Sequence, residues 1–279
     1  MESSNLETYE IKRYDSGMTW TGLAATVWDP SGGDGEQPDQ ATIQKLIEAH
    51  PGPALDVGCG TGRLLLRYLK AGLDVDGVEP SADMLEICRE KGLAQGLKPA
   101  LYQQAMQDLD LPRQYRVIYI PCGTFCLITD RQQAMEALVR IYAHLQPGGL
   151  LVFNLFWPFN EHAPLTATAV GQNGEWSPMW TNTLPDGSQV AQFYKLIHVD
   201  RVEQVMNAHR RYQLARDGQV EQEEVFAADE RWYFKHEMVM MLEKTGFQNI
   251  QVKGNWTDDD FTDPPHHSMV FIAHKETTP

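Results

Sequence analysis

Between residues 53 and 156 short apolar runs alternate with longer amphipathic stretches. Ala54–Val57 is an apolar run that ends in glycines, and Val75–Val78 is a second. Residues 101–103 form a weak third, Tyr115–Ile120 a β-branched fourth stopped by Pro121, and residues 150–156 a fifth. Leu64, Leu65, Tyr68 and Leu69 fall near one face of a helix predicted over residues 63–71. Residues 82–91 read as a helix with Ser81 as N-cap and Gly92 as C-cap, and residues 131–145 as an amphipathic helix closed by Pro147-Gly148-Gly149. Strands alternating with helices of this length imply βαβ units and a parallel sheet.

Beyond residue 157 the pattern changes. Residues 158–186, rich in Pro, Gly, Asn and Trp, read as loop. Residues 190–199, 202–214 and 220–226 read as antiparallel strands, with Asp217-Gly218 as a hairpin turn. A helix returns at Lys235–Thr245, ended by Gly246, and two strands follow at 249–254 and 269–273. The first 50 residues hold Tyr9, Tyr14, Trp20 and Trp28, a glycine-rich turn at 31–35 and a helix at 42–49.

Length and charge narrow the function. A chain of 279 residues suits one α/β domain with an insertion as well as two domains. Lys and Arg number 23 against 38 Asp and Glu, a net charge of −15. Polyanion binders need a basic footprint, so nucleic acid and anionic membrane surfaces are disfavoured as partners. No apolar run approaches the roughly 20 residues of a membrane span, and residues 1–10 lack the apolar core of a secretory signal. The four cysteines, Cys59, Cys88, Cys122 and Cys126, form no CxxC pair and read as free thiols of a cytoplasmic protein. No metal site is expected.

The chemistry concentrates in Leu55-Asp56-Val57-Gly58-Cys59-Gly60-Thr61-Gly62-Arg63, which follows a strand and opens a helix. A dinucleotide fingerprint would need its third glycine at Arg63, and a P-loop would need a lysine, so both fail. The glycines permit unusual backbone angles and close approach of a ligand. Glu79, at the end of the second strand, is placed to accept both hydroxyls of a ribose. Asp56, Gly58, Gly60, Gly62 and Glu79 together define a nucleoside pocket at the carboxyl ends of parallel strands.

With these residues in view, the chain resembles the class I S-adenosylmethionine (SAM)-dependent methyltransferases, specifically the small-molecule group with a β-meander insert that includes sugar N,N-dimethyltransferases. The resemblance runs from Tyr14 to Lys275. It is strongest at Leu55 to Arg63, at Val78-Glu79-Pro80-Ser81-Ala82-Asp83-Met84-Leu85 and at Leu145-Gln146-Pro147-Gly148-Gly149. Tyr14-Asp15 and the span from Glu237 to Gly246-Phe247 carry it more weakly. It implies an α/β fold: a Rossmann-like, seven-stranded, mostly parallel sheet with helices on both faces, its last strand antiparallel, plus the antiparallel insert. The implied organisation is an N-terminal helical lid at 1–50, a SAM-binding core at 51–157, an insert at 158–229 that covers the acceptor or forms a dimer surface, and completion of the core sheet at 230–279.

The resemblance also assigns roles. Gly58, Cys59, Gly60 and Gly62 would line the methionine and ribose part of SAM, Glu79 would bind the ribose, and Pro80 and Met84 would flank the adenine. Pro121, Cys122 and Gly123 would pass near the sulfonium, and Tyr14 would close over the methionine end. The family's acidic residue after strand three is replaced by Ala105, so Gln104 or the backbone of Met106 stands in for it. Strand four begins Tyr115-Arg116 rather than with an aromatic-Asp pair.

The implied reaction is methyl transfer to nitrogen or oxygen of a small-molecule acceptor by in-line displacement, driven by proximity and orientation. The alternative is a SAM-binding protein with other chemistry or a regulatory role. A hydroxyl acceptor would gain from a general base, for which Tyr14, His162 and His267 are candidates. Trp20, Trp28, Trp157, Trp176, Trp180, Trp232 and Tyr233 would shape the acceptor pocket. Residues 216–263 hold twelve acids against five bases, which points to a neutral or cationic acceptor.

Overall fold

The computed structural model describes residues 10–12, 20–29, 35–157, 174–184, 186–262 and 266–277. Its core is a seven-stranded sheet. In chain order the strands are β2 (Ala54–Val57), β3 (Val75–Val78), β4 (Ala100–Tyr102), β5 (Tyr115–Ile120), β6 (Leu145–Phe156), β12 (Gln248–Gly254) and β13 (Ser268–His274). Their spatial order is β12-β13-β6-β5-β2-β3-β4, and β13 runs antiparallel to both neighbours. Side chains alternate between the two faces, as the period of a strand requires. Leu55, Val57, Ile118, Ile120, Leu151, Phe153 and Leu155 meet α5 (Arg131–His144) and α6 (Lys235–Thr245). Ala54, Val117, Tyr119, Leu150 and Val152 meet α2 (Asp39–Ala49), α3 (Leu65–Lys70) and α4 (Ala82–Ala94). Burial on both faces makes these strands nearly continuous apolar runs, which is why they were readable.

The second sheet is built on β8 (Gln189–Asp200), β9 (Val205–Arg216) and β10 (Gln219–Ala227), the antiparallel meander. Asp217 and Gly218 both have positive φ, +50° and +77°, the geometry of a type I′ turn. Two edges come from unexpected places. Residues 177–183, inside a segment that reads as loop, form strand β7 (Ser177–Thr183) against β8. Pro178 sits at a register shift of this edge strand, a setting in which proline is tolerated. Strand β1 (Ile11–Lys12) lies parallel to β10, and β11 (Glu230–Arg231) pairs with β9.

Local boundaries also shift. Ser81 caps α4 as its sequence suggests, its hydroxyl accepting from Met84 N at 3.2 Å. The helix continues through Gly92 to Ala94, however, because Gly92 makes room for Pro99, whose Cδ would lie 3.0 Å from a methyl group there. Strand β6 starts at Leu145 rather than Leu150, with Pro147-Gly148-Gly149 forming a bulge between two paired segments.

Helix α1 (Gly22–Thr26) fastens the two sheets together. Leu23, Ala24 and Val27 are buried with Val190, Tyr212 and Phe226 of the second sheet. The Gly22 N–H donates to Asp83 on α4 at 2.6 Å, and the Leu23 N–H to Glu224 on β10 at 2.9 Å.

Candidate functional site

The three glycines after β2 serve three physical ends. All have positive φ, +77° at Gly58, +53° at Gly60 and +89° at Gly62. A methyl group on Gly58 would lie 2.6 Å from Thr124 Cγ2, and one on Gly62 would lie 2.7 Å from Cys88 Sγ. Those positions are small because protein packs against them. At Gly60 nothing stands within 4 Å of such a methyl, and Gly60 opens onto a cavity. The loop is pinned to β3 through Gly58 N and Cys59 N, which donate to Val78 O at 2.8 and 3.0 Å.

Glu79 ends β3 with its carboxylate turned back to this loop. Oε2 accepts from Gly60 N at 3.2 Å and Oε1 from Ser81 N at 3.0 Å. Burial pushes its pKa up to about 7, against the pull of those two hydrogen bonds. Asp56 is 1% exposed, and burial pushes its pKa up to about 7 as well, with the neighbouring Tyr119 hydroxyl and Arg63 opposing the shift. Neither Asp56 Oδ1 nor the Tyr119 hydroxyl closes a hydrogen bond within the described residues.

Both carboxylates line a cavity of about 1240 Å³ between the carboxyl ends of the core strands and the inner face of the second sheet. Past β5 the wall is Pro121, Cys122 and Gly123, with Cys122 at φ +56° and Gly123 at +66°. Asn154 holds this turn, its Oδ1 accepting from Gly123 N at 3.0 Å while its Nδ2 donates to Ser268 Oγ at 3.0 Å. Arg63 makes a bidentate pair with Asp39, at 2.8 and 2.5 Å, and donates to Cys122 Sγ at 3.2 Å. Burial pushes the Cys122 thiol pKa up. On the opposite wall Arg210 pairs with Glu230 at 2.7 Å and lies 5.3 Å from the centre of the Trp20 ring. Gln192 donates to the Tyr212 hydroxyl at 3.0 Å beside them, and Tyr194 completes that wall.

Comparison with known proteins places this geometry. Residues 54–149, which carry the glycine loop and Glu79, match the family model described as a methyltransferase domain. The chain is 32% identical over 147 residues to a putative methyltransferase of Geobacillus sp. (strain WCH70), covering 51% of this chain and 60% of that one. It is 30% identical over 122 residues to the dTDP-3-amino-3,6-dideoxy-alpha-D-glucopyranose N,N-dimethyltransferase of Streptomyces fradiae, covering 43% and 46%. The match identifies residues 54–149 as a methyltransferase domain.

The chain spans about half the length of the curated relatives it matches. The fold likeness extends further than the methyltransferase domain. The CcbJ methyltransferase of Streptomyces caelestis superposes with a TM-score of 0.72 at 22% identity, covering 94% of this chain and 100% of that one. The sugar N-methyltransferase KedS8 of Streptoalloteichus sp ATCC 53650 gives 0.68 at 18% identity, covering 99% of both.

Most residues read from the sequence meet at this cavity. Asp56, Gly58, Cys59, Gly60, Glu79, Pro80, Met84, Gln104, Ala105, Met106, Pro121, Cys122, Gly123 and His267 all line it. Gly62 does not, because it lies beneath the loop against Cys88 and Leu66. The Gln104 side chain is committed to Asp110, whose N–H and carbonyl it bonds at 2.9 and 3.1 Å, so its amide is not a free stand-in for an acid at Ala105. Tyr14 and His162 lie outside the described residues.

Among the aromatics, Trp20, Trp28, Trp157, Trp180 and Trp232 line the cavity, and Trp176 does not. Trp176 stacks instead with Arg211 and Lys195. Tyr233 is fully buried against Phe125 in the core. His266 is wedged against Gly254 and bonded to Thr262. Sequence reasoning missed Asp39, Asn154, Arg210 and Glu230, each of which acts through a partner distant in the chain.

Proposed function

We propose that the chain transfers a methyl group from S-adenosylmethionine to nitrogen or oxygen of a small-molecule acceptor. One observation carries the reading. The glycine loop and the Glu79 carboxylate face a single cavity that continues to a polar wall on the second sheet, so cofactor and acceptor share one space. The volume exceeds the roughly 300–1,000 Å³ of an ordinary small-molecule site, as room for two ligands requires.

The residues present fit the cofactor. Two buried carboxylates at the glycine loop suit hydroxyl donors and a positive charge. Glu79 would hold the ribose hydroxyls, Gly58 to Gly60 would admit the methionine end, and Pro80, Met84 and Met106 would border the base. When bound, SAM supplies a methyl group on a cationic sulfur. The chain's part is alignment, which contributes about 7–11 kcal/mol in well-oriented reactions.

The acceptor loses one proton as its bond to carbon forms. His267 is the proposed base for a hydroxyl acceptor. It lines the cavity, and its backbone N–H donates to Asn255 Oδ1 at 2.9 Å, which fixes its position at the start of β13. A neutral amine needs no such base. Arg210 and Glu230 neutralise each other, and with Gln192, Tyr194 and Tyr212 they offer hydrogen bonds rather than net charge. This supports a neutral, polar acceptor. Titration calorimetry with SAM and with S-adenosylhomocysteine tests the reading. Binding of both is expected, and binding of neither at high micromolar concentration overturns it.

A further inference from the structure

The segment from Trp20 to Asp29 crosses the cavity and is tied to the elements that build the cofactor side. Trp20 O accepts from Ser81 Oγ at 2.5 Å, and Gly22 N donates to Asp83 at 2.6 Å, both at the start of α4. At the far end of the segment, Asp29 Oδ1 accepts from Thr61 Oγ1 at 2.6 Å and Oδ2 from Lys91 Nζ at 2.7 Å. Thr61 stands between Gly60 and Gly62 and is 1% exposed. The Asp29 side chain therefore ties this strap to the glycine loop itself. Trp20 and Trp28, edge to face at 4.3 Å, line the cavity from the strap side.

We infer that Asp29 is a positioning residue, a latch through which the strap holds the glycine loop closed over bound cofactor, so that cofactor exchange requires the Asp29–Thr61 contact to break. The inference rests on the methyltransferase reading. The anchoring is charge-assisted on both oxygens, which gives short and strong bonds. The opposite side of the strap is held by the second sheet through Leu23 N and Glu224, so movement at Asp29 swings the Trp28 end while the Leu23 end stays docked.

The test is stopped-flow Trp fluorescence of S-adenosylhomocysteine binding and displacement, with thermal unfolding of the ligand-free proteins alongside. Asp29→Ala and Thr61→Val are each expected to raise the dissociation rate tenfold or more and the association rate several-fold. The dissociation constant then moves less than the dissociation rate, which marks a gate rather than a lost contact. Thr61→Ser restores wild-type rates. Unchanged dissociation in both variants overturns the latch, as does faster dissociation with unchanged association. A lowered unfolding temperature with unaltered rates assigns Asp29 a structural role only and also overturns it. If Asp29→Ala fails to fold, the Thr61→Val and Thr61→Ser pair decides. Absence of S-adenosylhomocysteine binding by the wild type counts against the methyltransferase reading instead.

Discussion

Replacing Glu79 with glutamine separates the stability of this site from its function. In the folded chain burial lifts the Glu79 pKa from 4.5 to about 7. The folded state thus keeps a proton that the unfolded state releases between about pH 4.5 and 7. Stability is fully present below that window and is lost as pH rises through it, on the order of 3 kcal/mol for a shift of this size. Glutamine does not ionise, so Glu79→Gln removes that loss. It also replaces one of two acceptor oxygens by an NH₂ group facing either Gly60 N or Ser81 N, a mismatch of about 1–3 kcal/mol. The ligand-free variant is therefore less stable than wild type at pH 4 and level with it or up to about 2 kcal/mol more stable at pH 8.

Cofactor affinity moves the other way. Hydrogen bonds to a charged group are worth about 1.5–3 kcal/mol and neutral ones about 0.5–1.5. Two ribose hydroxyls would lose about 2–3 kcal/mol together, a 30- to 150-fold weaker dissociation constant. Wild-type affinity for S-adenosylhomocysteine rises with pH up to about 7 as Glu79 and Asp56 ionise, and in Glu79→Gln this rise is shallower by one proton. Urea unfolding and calorimetry at pH 4, 6 and 8 read both effects. Binding within threefold of wild type at pH 8, with an unchanged pH slope, would refute the reasoning.

Three further outcomes follow from the site. Gly60→Ala puts a methyl group into open cavity, so it weakens cofactor affinity with a stability cost of about 1 kcal/mol from its left-handed backbone; Gly62→Ala meets Cys88 and Leu66 and costs more in stability, and calorimetry with urea unfolding distinguishes the two. His267→Gln lowers kcat about 10²–10⁴-fold for a hydroxyl acceptor and by little for an amine, so the size of the loss reports the acceptor atom once a turnover assay exists. Asp39→Asn leaves the Arg63 guanidinium buried beside a neutral partner and costs about 3–5 kcal/mol in urea unfolding, of which the double variant with Arg63→Met recovers part.

What the sequence disclosed was local. Tyr115–Ile120 and Lys235–Thr245 were legible to the residue, because buried strands and capped helices impose their own period and punctuation. The glycine loop and Glu79 were legible because a motif and a strand end coincide. The contacts that give the site its charge were not. Arg63 and Asp39 lie 24 residues apart, Thr61 and Asp29 32, Gly123 and Asn154 31, and Arg210 and Glu230 20. Pairs at such separations leave no period in the chain. Strand β1 was hidden for the same reason, since two residues gain their conformation from β10, more than 200 positions away. Gly92 misled because a glycine ends a helix where it takes a left-handed φ, as Gly246 does at +108°, and Gly92 stays helical.

The net charge of −15 acts on the site less than its size suggests. Of the eleven described acids between residues 216 and 262, Glu230 alone lines the cavity, and Arg210 neutralises it. Asp258 and Asp259 are exposed, and Asp260 is paired with Lys253 at 2.8 Å. Exposed charges are screened over about 8 Å at physiological salt. Arg63 and Asp39 cancel in the same way as Arg210 and Glu230. What a cationic ligand would meet at the glycine loop is Asp56 and Glu79, each with a pKa raised by burial to about 7. A positive sulfur would draw both toward the ionised form. On the proposed function, the attraction for such a cofactor lies in these two buried carboxylates rather than in the acidic surface.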